Sequence, residues 1–452
     1  MQILQLCAYP LLTRLYAPAE FGDFLFYSGL TVILGSVAAF KMDGAILAGK
    51  VEDIAVLKRL GAVFVLAIAL GAEAVTLIAW WLMPSAAWLQ EKQMVLLVFP
   101  VGLCAQGIFS LATAEATREK RYGAFVASQV AVSVTSLLIQ IVGGLSSLGL
   151  MSLIAGDILS RCAGIGMLGF SLRLRGLVIF RERLRFSGLL HRYRNYPAML
   201  TPAALLNMGA QQIQNLLFPV LFGSALAGQF ALASRVVNSP VGLTSSAISN
   251  VFAGEAASLG QDEEALGTMT LHALGLTTAC ALPMMVVTAL LAPEVFAWLF
   301  GARWEQAGVF AAILAAGLSA ALVSSPLSSL IMLRNSLQTA VYFSLAELLV
   351  RSLPFAIGAV WDSAWVAVAL LSLGNVLLYL AALIRFLKLA GVGLKDYLHH
   401  VRRLMAMAVA CFGPGIGSAA LDAEVGIKVT AVLGGLALYA LGTLLLIKRR
   451  EL

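Results

Sequence analysis

Apolar residues run along this chain in continuous stretches of about twenty, broken by short polar segments, without the strict alternation of a half-buried strand. A helix of that length crosses a hydrocarbon core of about 30 Å. Within lipid, backbone groups must be bonded inside the segment or in a closed barrel, and these runs lack the period-two pattern of barrel strands. The pattern therefore predicts an all-α polytopic membrane protein of about fourteen helices. The first six spans are 1–13, 22–40, 59–83, 93–114, 123–143 and 148–170. The next six are 197–221, 228–252, 267–291, 306–331, 339–360 and 364–386, and the last pair is 404–420 and 427–447. The first span is anomalous: thirteen residues before Arg14 rise only about 20 Å. It reads as a half-length helix or as a start placed too far downstream, and the second reading is favoured.

Charge placement adds an orientation. With the N-terminus in the cytoplasm, inside loops hold 23 of the 30 Lys and Arg residues, outside loops hold 4, and Arg161, Arg235 and Arg351 fall inside spans. That bias predicts both termini inside. The acidic inside loop 254–265 is the one misfit, and acidic residues contribute little to the rule. The net charge of +7 is thus attributed to the anionic cytoplasmic leaflet and not to nucleic acid. Basic and apolar clusters alternate over 173–196, which predicts an amphipathic helix lying on that leaflet, in contact with anionic lipids.

Composition supports the class: 60% of residues are apolar and 12% charged, against about 25% charged in a soluble domain. Cys7, Cys104, Cys162, Cys280 and Cys411 lie in predicted spans without a CxxC, and the four histidines lack ligand spacing. No disulfide, metal site, cofactor or catalytic residue is expected. Nor does a GxxxxGK[ST] loop for nucleotide occur.

Six spans precede the basic segment and six follow it before the last pair, so the two sets share an orientation. PAEFGDFL (18–25) and SALAGQFA (224–231) match at Ala19/Ala225, Gly22/Gly228 and Phe24/Phe230, each just after the first span of its set. This predicts two lobes related by a parallel pseudo-two-fold, a transporter design. The expected divisions are an N-terminal lobe 1–171, a basic linker 172–196, a C-terminal lobe 197–388 and two extra helices in 389–452.

Ionisable side chains inside spans are costly and usually face an aqueous cavity. Asp157 precedes Arg161 by four residues and Glu347 precedes Arg351 by four, so each pair shares a helix face in the favourable order. These are either self-neutralised pairs at helix interfaces or the lining of a cationic lumen. Arg235 has no acid one turn away on its helix and is the strongest lumen candidate. Glu73 is a lone mid-span carboxylate, either a proton or cation site or a polar interface residue. Asn207, Gln211, Gln214 and Asn215 fall near one face of span 7, where amides suit sugar hydroxyls and helix–helix bonds equally. Pro240, Pro283 and Pro354 can kink their helices.

Four stretches carry a resemblance: LLTRLYAPAEFGDFLFYSGL (11–30), TREKRYGAF (117–125), the segment 193–257 and LFGARWEQAGVFAAILAAGLSAALVSSPLSS (299–329). In this order they resemble the polysaccharide transporter family, the Wzx-type lipid-linked oligosaccharide flippases of the multidrug/oligosaccharidyl-lipid/polysaccharide superfamily. The resemblance implies two six-helix lobes plus two C-terminal helices, alternating access, and residence in the bacterial cytoplasmic (inner) membrane. It implies an undecaprenyl-diphosphate-linked repeat unit as substrate, moved to the outer leaflet for O-antigen, lipopolysaccharide or exopolysaccharide synthesis. It further implies a proton or sodium gradient and a monomer working beside polysaccharide polymerase machinery. The cationic-lumen idea carries over to Arg161, Arg235 and Arg351, joined by Asn207 and Gln211 as substrate-binding candidates, with Asp157, Glu347 and Glu73 as ion-coupling candidates. The half-length first helix departs from the family pattern. A membrane-embedded polymerase or ligase is the competing class, but the longest outside loop, about 292–305, has one Arg and no His. A small-molecule antiporter of the superfamily would usually stop at twelve helices, and a peptidoglycan-precursor flippase fits the motifs less well.

Overall fold

The computed structural model describes residues 2–172, 192–259, 262–334, 336–421 and 424–448. Among them no strand occurs. The chain divides into two compact units, Met1–Gly228 and Gln229–Leu452.

The first unit contains α1 (Gln2–Leu15), α2 (Pro18–Gly35), the short α3 (Met42–Ala48), α4 (Ile54–Leu82), the short α5 (Ala87–Glu91), α6 (Gln93–Arg118), α7 (Tyr122–Leu145), α8 (Leu150–Leu172) and α9 (Thr201–Phe222). It ends in the first turn of α10 (Ser224–Ser258). Pro18 starts α2, where a missing N–H costs nothing, and Glu20 accepts a 2.7 Å bond from the Ala17 amide. Gly223 holds φ at +81°, a conformation that separates α9 from α10 and that side chains with a Cβ avoid. Neighbour pairs are α4 with α6, α6 with α8, and α7 with α8; α9 packs on α2. Phe26, Tyr27, Ile46, Leu57, Phe99 and Leu103 are among its buried core.

The second unit holds the rest of α10, α11 (Glu263–Phe300), α12 (Glu305–Ser324), the short α13 (Ser329–Leu333), α14 (Leu337–Val360), α15 (Ala364–Leu389), α16 (Leu394–Ala420) and α17 (Val425–Lys448). Asp262 caps α11 by accepting from the Ala265 amide at 3.0 Å. Neighbour pairs are α11 with α12, α12 with α15, and α14 with α15, while α16 and α17 pack on each other and on α11. In span order, these pairings repeat those of the first unit: third with fourth, fourth with sixth, fifth with sixth. The fourth helix of each set, α6 and α12, is the most enclosed of the apolar helices.

All fourteen predicted segments are helical. Ten helical segments among the described residues are long and apolar enough to cross a membrane. The other four are the first two of each set, α1, α2, α9 and α10, for a physical reason. α1 has only 14 residues; α2 carries Glu20 and Asp23; α9 carries its amides; α10 carries Gln229, Arg235, Asn238 and a series of serines. Several boundaries move, three of them with consequences. α10 runs for 35 residues, about 52 Å, so Arg235 lies three turns in and Glu255 is helical, not part of a loop. α16 begins at Leu394, ten residues before the predicted span, because its first three turns are amphipathic and escape a hydropathy reading. α3 fills what reads as a loop.

Most of the predicted surface helix 173–196 lies outside the described residues. Its end is tied to the turn before α4: Arg192 bonds Asp53 at 3.1 Å, and Tyr193 Oη donates to Asp53 at 2.9 Å while accepting from the Lys50 amide at 3.1 Å. All seven tryptophans, by contrast, sit at helix ends assigned to the outer face: Trp80, Trp81, Trp88, Trp298, Trp304, Trp361 and Trp365.

Candidate functional site

The first unit builds a polar row between α2 and α6. Helical periodicity places Asp23, Tyr27, Thr31 and Gly35 on one face of α2, one turn apart, and Gly102, Gln106 and Ser110 on one face of α6. The rows meet in register. Lys92, just before α6, bonds Asp23 at 2.7 Å; Tyr27 packs on Gly102; Gly35 packs on Gln106; and Ser110 Oγ donates to Asp43, just beyond α2, at 3.2 Å. Partner numbers rise together, so the helices run parallel.

At the end assigned to the outer face, Lys92 is 1% exposed and donates to Asp23, to Glu91 at 2.8 Å and to Ser224 Oγ. Ser224 Oγ also contacts Asp23 at 2.5 Å and Glu91 at 3.0 Å. The Lys92 ammonium, as hydrogen-bond donor, holds the Glu91 carboxyl below its ordinary value of 4.5. One turn inward, Arg161 forks onto Asp157, with Nε on Oδ2 at 3.1 Å and Nη2 on Oδ1 at 2.7 Å. Tyr27 Oη adds a third bond to Asp157 at 3.1 Å. Both ions of the pair are mostly buried, at 17% and 19% side-chain exposure. Near the inner end, Lys58 and Glu115 form a buried 2.6 Å pair, and Arg118 closes the C-terminal carbonyls of α3.

The outer end also holds a reciprocal backbone contact. A Cβ on Gly22 would strike the Ser224 carbonyl, and a Cβ on Gly228 would strike that of Pro18. Residues 18 and 224 are equivalent positions of the repeat, as are 22 and 228. Each glycine therefore faces the counterpart of the other's neighbour, which is the contact pattern of a two-fold.

In the second unit, Arg351 bonds Glu347 at 2.6 Å and reaches the Tyr379 hydroxyl. Arg235 is exposed on α10, on a side that also exposes Asn238, Ser246 and Asn250 at helical spacing, while Phe230, Val237, Val241 and Phe252 are buried. Gln229, the counterpart of Asp23, clamps backbone instead of a charge: Nε2 donates to the Arg303 carbonyl at 2.6 Å, and Oε1 accepts from the Ala307 amide at 2.9 Å. Phe230 meets Phe310 and Phe355 edge-on, and Phe310 lies 4.4 Å from Trp365 between ring centres.

The remaining candidates are more peripheral. On α9, Gln211 donates to Asn207 at 2.7 Å, and Asn215 donates to Gln212, so the amides satisfy one another along the helix. Glu73 is half-buried on α4, with Oε2 enclosed and lacking a hydrogen-bond partner. Sequence reasoning brought together Asp157 with Arg161 and Glu347 with Arg351. It missed Tyr27, Asp23, Lys92, Lys58 and Glu115. The i, i+4, i+8 spacing of Asp23, Tyr27 and Thr31 within a span was the available signal.

Fixed cations beside carboxylates inside membrane-spanning helices can hold an anion or respond to a proton. A family model described as "Polysaccharide biosynthesis protein" matches residues 11–309. Among solved structures, the fold is similar to that of "Lipid II flippase MurJ, inward closed conformation", at TM-score 0.69 and 14% identity over 100% of this chain and 97% of that one. It is also similar to an inward-facing "multidrug resistance MATE family transporter of the MOP superfamily", at TM-score 0.64 and 13% identity over 86% and 95% of the two chains. None of the curated proteins compared matches.

Proposed function

We propose, from the premise that the chain belongs to the polysaccharide biosynthesis protein family, that it is a flippase for an undecaprenyl-diphosphate-linked oligosaccharide. It carries the repeat unit from the inner to the outer leaflet of the bacterial cytoplasmic membrane by alternating access. The observation that carries this reading is the set of arginines within the helical body: Arg161 and Arg351, each beside a carboxylate, and Arg235 on the polar side of α10. A diphosphate crossing about 30 Å of hydrocarbon needs such counter-charge while its lipid tail stays in the bilayer.

In this reading fourteen helices cross the membrane, as lobes 1–171 and 197–388 joined by the basic linker and followed by two further helices. The sorting of Lys and Arg to one set of helix ends supports both termini being cytoplasmic. Asn207 and Gln211 bind sugar hydroxyls by exchanging their mutual bond for substrate bonds. Asp157, Glu347 and Glu73 are the groups through which an ion gradient acts.

The test is translocation of a fluorescent undecaprenyl-diphosphate oligosaccharide in proteoliposomes. Arg235→Ala lowers the rate at least about tenfold, the value of one lost charge-assisted contact of about 1.5–3 kcal/mol, with thermal stability unchanged. An unaltered rate in folded Arg235→Ala removes Arg235 from the pathway.

A further inference from the structure

The polar row of the first unit changes character half-way down. In its outer half the buried polar groups are bonded: Lys92 with Asp23 and Glu91, Tyr16 with Ser152 and the Gln140 carbonyl, Tyr27 and Arg161 with Asp157. From the level of Thr31 inward, successive groups each keep an enclosed oxygen without a hydrogen-bond partner: Gln106 Oε1 and Asp43 Oδ1. The Thr31 hydroxyl faces Tyr27 but makes no well-formed bond. An enclosed polar oxygen left unbonded costs about 1–3 kcal/mol. With Thr31 that makes three in one row between α2 and α6, which identify a place where water belongs.

We infer that the first unit holds a water-filled half-channel that opens to the cytoplasm, runs between α2 and α6 past Asp43, Ser110, Gln106 and Thr31, and ends at the Asp157–Arg161 pair. Its outer end is sealed by Tyr27, which covers Asp157, and by the Lys92 cluster above it. The half-channel deepens the ion-coupling reading, on which it rests, by giving Asp157 access to protons from one side only. Tyr27 on α2 and Arg161 on α8 are the titratable groups bonded to that carboxylate. A hydronium ion at the head of the file gives its proton to an Asp157 carboxylate oxygen and remains as water. The resulting neutral acid no longer pairs with the guanidinium, and Arg161 is released as a cation toward an anionic head group.

Cysteine accessibility tests the path without substrate or gradient. In the full chain with its five native cysteines replaced, Thr31→Cys, Gln106→Cys and Ala38→Cys are treated in sealed vesicles with a small cationic methanethiosulfonate. Thr31 and Ala38 are both 0% exposed, and Ala38 lies nearer the inner face but within the apolar core. Only hydrated thiols ionise and react, so Thr31→Cys and Gln106→Cys react from the cytoplasmic side at least about tenfold faster than Ala38→Cys. None of the three reacts from the outer side. Ser110→Cys, nearer the mouth, substitutes for whichever variant does not fold. Equal rates for Thr31→Cys and Ala38→Cys overturn the half-channel, as does labelling from the outer side. Because the assay contains no lipid-linked sugar, its failure leaves the flippase assignment standing, and failure of the Arg235 test leaves the half-channel standing.

Discussion

The outer ends of the two units solve one packing problem with different chemistry. At equivalent positions after the first helix of each set, the first unit has Asp23 and the second has Gln229. Asp23 joins a buried ammonium, a second carboxylate and a hydroxyl. Gln229 joins two backbone groups at the start of α12, beside Phe230, Phe310, Phe355 and Trp365. An amide bonded to backbone is neutral, and its stability is indifferent to its neighbours' protonation. An ionic pair is conditional: buried Lys92 and mostly buried Asp23 are tolerated only while both stay charged and in place. The difference teaches that a duplicated backbone arrangement can carry a switchable end and a fixed end.

The largest effect is expected from breaking the ionic end. Lys92→Met strands Asp23 and lowers stability by about 3–5 kcal/mol, read as a fall in unfolding temperature of the purified protein. Adding Asp23→Asn returns most of that loss, because removing both charges of a buried pair is close to neutral. Additive losses in the double variant would mean that the cluster is not a coupled unit. Gln229→Leu breaks the neutral end and costs about 2 kcal/mol, since it leaves the Ala307 amide and the Arg303 carbonyl unpaired. A loss as large as that of Lys92→Met would abolish the contrast. The smallest effect concerns protons. The Glu91 carboxyl is depressed by Lys92, so its contribution is complete above 4.5 and fades as pH falls through the lower folded value. A stability profile of wild type against Glu91→Gln therefore converges only in that acid window. Convergence already near neutral pH would show that Glu91 is not held by Lys92.

Much of the fold was legible because lipid leaves the chain few options. An apolar run of about twenty residues inside a bilayer is a helix, whatever its neighbours are, so each predicted segment is helical. The acid–arginine pairs were legible for a similar reason: residues four apart on one helix meet by local geometry alone. What escaped notice was long-range. Lys92 reads as an ordinary loop cation, and only packing brings it to Asp23 and Ser224, 69 and 132 residues away. Arg235 lies eleven residues into its helix and only seven into the predicted span 228–252, because hydropathy marks where a helix enters lipid and not where it begins.

The sequence by itself determined the helical class, the two matched sets of helices, the sorting of basic residues, and which helices carry charge, since all of these follow from local composition and period. Tertiary structure alone decided which charges meet. α2 and α6 run parallel and in register, and that register converts scattered Asp, Tyr, Thr, Gln and Ser positions into one continuous row. Side-chain period is a property of a single helix, but register is set by packing between helices, where Tyr27 fits only against a residue as small as Gly102.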